Sequence, residues 1–205
     1  MEKFLVHRGV AAPLLQPNID TDAIIPSREM KRVSKHGLGK GLFAGWRYTD
    51  AGARVNNPDF VLNQAAYQGA SILLSGDNFG CGSSREHAVW ALREYGIRAI
   101  IAQGFGAIFA NNCIRNGLLP VSIKEREIQR IADWVSADPQ SNAVEIDLPR
   151  QLIRAGGDNF GFEIDPGLKR MLVEGLDAIA LTLTRKDTID SFHIGRKATR
   201  PWLYS

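Results

Sequence analysis

The feature that most constrains the fold is a glycine-rich turn between an apolar segment and an amphipathic one. The apolar segment, residues 69–74, predicts a buried strand. Residues 86–95 carry apolar side chains at helical spacing and stop at Gly96, which is typical of a helix with a glycine C-terminal stop. The turn between them, residues 75–85, reads Ser-Gly-Asp-Asn-Phe-Gly-Cys-Gly-Ser-Ser-Arg. The order strand, turn, helix indicates an α/β fold.

The segments after this helix continue the alternation of strand and helix. Apolar runs predict strands at 98–102 and 119–123, and residues 105–115 between them have helical spacing. Strands and helices that alternate this closely predict a parallel sheet with right-handed crossover helices. Such crossovers place the turns after consecutive strands on one edge of the sheet. Residues 104–106 are therefore expected beside the turn that contains Ser83.

The remaining chain adds further elements to this core. In order, the patterns predict two short N-terminal strands around Gly9, an amphipathic helix at 125–137, a hairpin at 144–153, a strand at 160–164 and a helix at 167–183. We expect one domain over residues 1–205, with its core over about 1–125 and C-terminal helices, hairpin and tail over about 126–205. The aromatic residues of the basic tail are expected to pack back on the domain, and a partner interface is the alternative.

The glycine-rich turn also has the composition of an anion site. Glycine lets the backbone approach a ligand closely, and the first turn of a helix presents N–H groups with no intrahelical partner. Ser83 and Ser84 lie where the helix is expected to begin, and the guanidinium of Arg85 can bind a carboxylate through two parallel hydrogen bonds. The expected ligand is a carboxylate or a phosphate. A serine at a helix start is often only an N-cap, so this alternative stays open.

Charge and composition exclude several classes of protein. The chain has 25 basic and 22 acidic side chains, and a formal net charge of +3 is too small and scattered to indicate nucleic-acid binding. No run of about 18 apolar residues predicts a membrane span, and the N-terminus lacks the apolar core of a signal peptide. The two cysteines, Cys81 and Cys113, lie far apart and indicate no disulfide framework. This cysteine usage favours a reducing cytoplasm.

Three motifs resemble those of one enzyme family. Residues 76–88, Gly-Asp-Asn-Phe-Gly-Cys-Gly-Ser-Ser-Arg-Glu-His-Ala, look like the signature of the small subunit of 3-isopropylmalate dehydratase, an aconitase-related isomerase of leucine biosynthesis. Residues 18–26, Asn-Ile-Asp-Thr-Asp-Ala-Ile-Ile-Pro, resemble its N-terminal motif. Residues 104–113 and their continuation at 116–121 resemble its third motif. The motifs occur in the family's order, and the resemblance covers about residues 1–200.

The resemblance implies a fold, a reaction and a set of site residues. The fold is the aconitase-type swivelling domain (β/β/α), with a parallel βαβαβ core and extra strands and helices. The reaction removes and re-adds water on a malate-type acid and converts 2-isopropylmalate to 3-isopropylmalate. Ser83 takes the position of the general base, with the backbone of Gly82 beside it, and Ser84 and Arg85 hold a substrate carboxylate. Asp22 lies in the active-site wall.

Three of these positions keep a second interpretation. Asp20 or Asp22 can cap a turn through an Asx-type hydrogen bond, whereas the resemblance has Asp22 fix a hydroxyl or orient a basic residue. His87 lies four residues after Ser83 and is expected to share its helix face, behind the substrate-contacting residues, and the alternative is a packed or hydrogen-bonded structural histidine. Gly104 is expected beside the turn that contains Ser83 as part of a second backbone wall, and the alternative is a glycine that only caps or bends its own turn.

The polar segment 27–41 also has two interpretations. It reads as a short helix followed by a glycine-rich loop, which is typical of a solvated charged face. In the resembling family this loop touches the variable group of the substrate. The candidates for that contact are Arg28, Lys31 and Arg32.

The resemblance also implies a cofactor and a partner. The family's chemistry uses a [4Fe–4S] cluster, which cysteine thiolates hold. Two distant cysteines and four histidines without ligand spacing predict no metal site on this chain, so the cluster is expected on a separate large subunit, in a heterodimer or larger assembly. Two alternatives remain. One is the small subunit of a homoaconitase or dimethylmalate-type dehydratase, and the other is a non-catalytic module that binds a dicarboxylate by itself.

Overall fold

A computed structural model of the chain describes residues 1–30, 36–83 and 85–203. The strands are β1 Val6–Gly9, β2 Ala11–Leu14, β3 Tyr48–Asp50, β4 Val55–Asn56, β5 Ile72–Ser75, β6 Ala99–Ala102, β7 Leu119–Ser122, β8 Val144–Asp147, β9 Leu152–Ala155 and β10 Asp158–Gly161. The α-helices are α1 Thr21–Ile24, α2 Ala44–Arg47, α3 Glu86–Tyr95, α4 Ala107–Arg115, α5 Glu125–Ala137, α6 Pro166–Glu174, α7 Ala178–Leu183 and α8 Lys186–Thr199. Short 3₁₀ helices cover Ser27–Met30, Gly39–Gly41, Val61–Asn63, Ala65–Tyr67 and Pro201–Leu203. Within the described ranges, no helix is both long and apolar enough to cross a membrane.

The centre of the fold is the predicted parallel sheet. Its strands lie in the order β2-β5-β6-β7, and each neighbouring pair runs parallel. Helices α3 and α4 connect β5 to β6 and β6 to β7. The prediction of a βαβαβ unit is therefore confirmed. The carboxyl ends of β2, β5 and β6 meet at one edge, because these three strands are neighbours.

The alternation of side chains along the central strands separates two hydrophobic cores. On one face, Ile72, Leu74 and Ile101 pack with residues of α5 and of the antiparallel sheet. On the other face, Leu73 and Ile100 pack with residues of α3 and α4. A strand that is buried on both faces needs apolar side chains at every position, which explains the continuous apolar runs in the sequence.

The second sheet is antiparallel and pairs the N-terminal strand with the strands that follow α5. Its order is β1-β8-β9-β10, with Val6 opposite Asp147 in the β1–β8 pair. The predicted hairpin is present as β8 and β9, and β10 extends it. Because β1 pairs with β8, residues 144–161 complete the same core as the N-terminal strand.

Two of the four predicted helices have the predicted bounds, a third begins at Ala107 instead of residue 105, and the fourth is divided into two. Helices α3 and α5 begin and end where the apolar spacing and the stop signals place them. The single helix expected over 167–183 is wrong, since α6 ends before Gly175 and α7 begins at Ala178. Gly175 has φ +72° and closes α6 in the left-handed conformation, which stops a helix.

The tail does not pack back on the domain as expected. It forms helix α8, which has no buried residue among those described. Phe192 is 60% exposed and Ile194 is 72% exposed, and Trp202 and Leu203 after the helix are exposed as well. The apolar residues of α8 are too few and too scattered for the continuous stripe that attaches a helix to a core.

The central sheet provides a matched test of the core. Replacing the fully buried Ile101 of β6 by Ala should lower the free energy of unfolding by about 2–5 kcal/mol, because the change leaves a cavity in close packing. The same change at Ile108 of α4, which is 57% exposed, should stay within about 0.5 kcal/mol. Urea unfolding of both variants measures the difference. Equal losses would contradict this description of the core.

Candidate active site at the carboxyl edge of the sheet

The turns after β2 and β5 lie side by side and are joined by backbone hydrogen bonds. The N–H of Asn18 donates to the carbonyl of Asp77 at 2.8 Å, and the N–H of Gly80 donates to the carbonyl of Ile19 at 2.7 Å. Cys81 forms a parallel bridge with Asp20. Two motifs that are about 60 residues apart in sequence therefore form one continuous backbone surface.

The turn after β6 continues this surface on the other side. The carbonyl of Gly104 accepts from the N–H of Phe79 at 3.0 Å, and the N–H of Gly106 donates to the carbonyl of Phe79 at 2.9 Å. A Cβ atom at Gly106 would lie 2.6 Å from the carbonyl oxygen of Gly80, so only glycine fits this approach. The third motif thus lies beside residues 79–81 of the central turn.

Ser83 precedes helix α3 and does not cap it. The N-cap is Arg85, which makes no side-chain capping hydrogen bond, and the helix begins at Glu86. The interpretation of Ser83 as an N-cap is therefore wrong, since Ser83 lies two residues before the cap. The residue is exposed, and its carbonyl accepts the N–H of Arg85 at 2.8 Å. Ser84 lies outside the described residues.

Arg85 forms an ion pair with Asp22 across the junction of the first two motifs. The guanidinium Nη1 contacts Asp22 Oδ1, and the two side chains are 26% and 54% exposed. Asp20, two residues earlier, accepts the N–H of Ala23 at 2.7 Å and caps α1. Each of the two open interpretations therefore applies to one acidic residue: Asp20 caps α1, and Asp22 contacts the basic residue Arg85.

Thr21 holds the chain on both sides of Gly82. Its backbone N–H donates to the carbonyl of Cys81 at 3.0 Å, and its hydroxyl donates to the carbonyl of Ser83 at 3.0 Å. Thr21 is 1% exposed, and Gly82 between the two acceptors has φ +85°. The local sequence pattern does not predict this contact, although Thr21 lies between the acidic candidates Asp20 and Asp22.

The proposed pairing of His87 with Ser83 on one helix face is wrong. The relation of residues four apart holds only inside a helix, and Ser83 lies before α3. The ring of His87 contacts Trp90 on the next turn, with 4.9 Å between ring centroids. His87 is half-buried in this contact.

Segment 27–41 is described only in part. Arg28 lies on the 3₁₀ helix Ser27–Met30, is largely exposed, and approaches Glu29 at 3.6 Å. Lys31 and Arg32 lie outside the described residues. The last part of the segment is attached to the end of α3, because both carboxylate oxygens of Glu94 accept backbone N–H groups.

Glu94 is a second residue that sequence reasoning missed. Its oxygens accept the N–H of Gly37 at 2.6 Å and the N–H of Gly39 at 2.7 Å. Desolvation opposes the charged form, but these backbone donors outweigh it, and the pKa of Glu94 lies below its ordinary value. Nothing in the local pattern of α3 signals this contact, which joins residues about 55 positions apart.

Comparison with known proteins identifies the family. The family model described as "Aconitase C-terminal domain" matches residues 1–126. A small subunit of 3-isopropylmalate dehydratase from Cupriavidus necator is 59% identical over 100% of this chain and 99% of its own length. Another, from Rhodopseudomonas palustris (strain BisA53), is 52% identical over 98% of this chain and 100% of its own length. The chain belongs to the family of 3-isopropylmalate dehydratase small subunits.

A solved structure supports the same assignment at the level of the fold. The crystal structure of 3-isopropylmalate dehydratase from Methanocaldococcus jannaschii matches with a TM-score of 0.66 at 29% identity. The match covers 92% of this chain and 99% of that chain. The expectation of an α/β domain of the aconitase type is thereby confirmed.

The candidate site lies at the sheet edge, where Ser83 is exposed. A separate cleft of about 1060 Å³ lies farther along, between the end of β7 and the hairpin strands. Lys124, Arg150, Glu127 and Glu163 are among its lining residues, so its charge is mixed, and it does not include Ser83 or Arg85. At the candidate site, Ser83 and Asp22 are exposed and Arg85 is partly exposed.

The two cysteines provide a probe of the site. We expect iodoacetamide to label Cys81 and spare Cys113 in the native chain, because the thiolate is the reacting form and burial raises the pKa of Cys113 well above its ordinary value. Cys81 is half-buried and lies in the central turn. Mass spectrometry of the alkylated chain measures this. Cys81→Ser should abolish native labelling, and urea should make both wild-type thiols reactive. Native labelling of Cys113 would contradict its placement.

Proposed function

We propose that this chain is the small subunit of a 3-isopropylmalate dehydratase, which isomerises 2-isopropylmalate to 3-isopropylmalate in leucine biosynthesis. The carrying observation is that the three family motifs form one hydrogen-bonded surface that presents Ser83 and Arg85 outward. Full-length identity of 59% to a small subunit of that name supports the same assignment. The enzyme is a hydro-lyase that acts as a complex of two kinds of chain.

In this proposal Arg85 binds a carboxylate of the substrate. A guanidinium can donate two parallel hydrogen bonds to a carboxylate, and this geometry fixes the orientation of the acid. Asp22 holds the guanidinium at the site through their ion pair. Ser84 and the backbone of Gly82 complete the binding surface, with Gly104 in the adjoining wall.

Ser83 is proposed to take the proton from the carbon next to that carboxylate. A serine hydroxyl is a poor base, so its alkoxide requires strong electrostatic stabilisation. The positive charge of Arg85 and the N–H groups at the start of α3 are groups of the required kind. The exposed position of Ser83 lets it reach a substrate that a second chain also contacts.

The [4Fe–4S] cluster is proposed to reside on the large subunit. Within the described part of this chain, no group of three or more His, Cys, Asp or Glu residues is placed to hold a metal ion. Cys113 is buried in the core beside α3 and α4, so its thiol does not fit a cluster that a substrate must reach. The steps proposed for this chain are therefore binding, orientation and proton transfer.

The exposed tail supports the existence of a partner. Residues 185–205 carry five basic and two acidic side chains, a net charge of +3, so residues 1–184 are balanced at 20 of each sign. Exposed aromatic and aliphatic side chains beside arginines are typical of protein interfaces. We propose that the tail contacts an acidic surface of the large subunit.

The proposal also covers the number of domains, the cellular location and the loop 27–41. We propose a single domain, because β1 pairs with β8 and buried residues from Phe4 to Leu172 share one hydrophobic core. A cytoplasmic location is proposed because both cysteines are free thiols. The loop 27–41, with Arg28, Lys31 and Arg32, is proposed to contact the variable group of the substrate.

The decisive experiment reconstitutes the enzyme. Hydration of 2-isopropylmaleate should be absent with this chain alone and appear when the cluster-bearing large subunit is added. Ser83→Ala should lower kcat of the mixture by about 10²–10⁴-fold, the usual contribution of a general base. Ser136→Ala, at an exposed serine on α5, should match wild type. Survival of activity in Ser83→Ala would overturn the role of Ser83 and leave the subunit assignment standing.

The same mixture separates the alternative functions. A higher kcat/KM for a homoaconitate or dimethylmalate-type substrate would assign the chain to a related dehydratase. Absence of activity with every large subunit, together with tight dicarboxylate binding by the chain alone, would favour the non-catalytic module.

The tail gives an independent prediction about the partner. Phe192→Ala should raise the Kd for the large subunit by about tenfold or more, as expected for an exposed aromatic anchor at an interface. Val55→Ala, at an exposed apolar residue of the two-stranded ribbon, is the matched control and should leave the Kd unchanged. Isothermal titration calorimetry measures both. Equal affinities of the two variants and wild type would exclude Phe192 from the interface.

A further inference from the structure

We infer that Thr21 is a positioning residue that sets the place of Ser83, and this inference rests on the proposed function. Thr21 is almost fully buried, with 1% of its surface exposed. Its side chain has one hydroxyl donor, and that donor is directed to the carbonyl of Ser83 at 3.0 Å. A buried hydroxyl that donates to a residue 62 positions away fixes a tertiary contact.

The backbone of Thr21 fixes the other side of the same turn. Its N–H donates to the carbonyl of Cys81 at 3.0 Å, so one residue binds the two carbonyls that flank Gly82. Gly82 has φ +85°, in a region that favours glycine because of its conformational freedom. The mobility that glycine introduces before Ser83 is thus limited by two hydrogen bonds from Thr21.

Each of residues 20–22 makes a different contact that supports the candidate site. Asp20 caps α1 through the N–H of Ala23 and fixes the short helix. Thr21 then determines where the backbone of Ser83 lies, and Asp22 determines where the guanidinium of Arg85 lies. The positions of Ser83, the proposed base, and Arg85, the proposed carboxylate ligand, therefore both depend on three consecutive residues.

This arrangement predicts which kinetic constant depends on Thr21. Loss of its hydroxyl removes the hydrogen bond that holds the Ser83 backbone. The ion pair with Asp22, which orients the guanidinium of Arg85, remains. In Thr21→Val the reconstituted enzyme should lose about tenfold or more in kcat, with KM changed by less than about threefold, because one hydrogen bond to the turn is lost. Thr21→Ser keeps the hydroxyl and should restore kcat to within about threefold of wild type.

A matched control separates positioning from general loss of a buried hydrogen bond. Ser75, at the end of β5, is also fully buried, and its hydroxyl donates to the carbonyl of Leu14 at 3.0 Å. Ser75→Ala removes a hydrogen bond of the same kind from the same edge of the sheet. It should lower the free energy of unfolding as much as Thr21→Val does, without the loss of kcat.

A second readout tests the inference without any enzymatic activity. If Thr21 restrains the turn, Thr21→Val should raise the iodoacetamide labelling rate of Cys81 in the free chain by about threefold or more, because local opening becomes easier. Thr21→Ser and Ser75→Ala should label at the wild-type rate. Thr21→Ala is the substitute variant if the valine does not fold.

The outcomes separate this inference from the proposed function. Faster labelling of Cys81 together with a selective loss of kcat would support the role of Thr21. An unchanged labelling rate, a kcat within twofold of wild type, or an equal loss of kcat in Ser75→Ala would each overturn it. An inactive wild-type mixture would refute the proposed function, and the labelling rates would then still decide whether Thr21 restrains the Ser83 turn.

Discussion

The backbone hydrogen bonds among the turns after β2, β5 and β6 are the constraint on which the candidate site depends. Each turn follows a parallel strand at the same edge of the sheet, beyond the regular hydrogen bonding between the strands. Backbone N–H and carbonyl groups of the three turns form hydrogen bonds with one another instead, through the pairs Asn18–Asp77, Gly80–Ile19 and Phe79–Gly104. Because buried backbone groups require partners, the position of each turn is determined by the other two.

This mutual dependence explains the composition of the motifs. Backbones that approach this closely leave no room for a Cβ at Gly106, and the turn at Gly82 adopts a positive φ. Asp22 and Ser83 are exposed on this surface, whereas Thr21 is buried in it. The glycines of the second and third motifs therefore serve the contacts between turns.

Local sequence predicts the elements that depend on the spacing of apolar residues and on stop residues nearby in the chain. The bounds of α3 and α5 follow from apolar spacing and stop residues, and the parallel sheet follows from continuous apolar runs. The expectation that Ser83 and Ser84 stand at the start of α3 was wrong for Ser83, because a serine often caps a helix, whereas the N-cap of α3 is Arg85. The contacts of Thr21 and Glu94 were missed because they join distant parts of the chain, and no local pattern encodes the partner. The composition of the glycine-rich turn indicated Ser83 and Arg85, and the resemblance added a role for Asp22. The structure then connects Arg85 to Asp22 through an ion pair.

If Arg85 binds a carboxylate as proposed, its ion pair with Asp22 competes with that carboxylate in the free chain. A dicarboxylate that reaches Arg85 exchanges one carboxylate partner for another, and solvent screens both pairs because the side chains are partly exposed. The net gain from this single contact is small, so the proposed role of Arg85 implies weak binding of dicarboxylates by the isolated chain. On the same proposal, tight binding of the substrate requires contacts that only the assembled enzyme supplies.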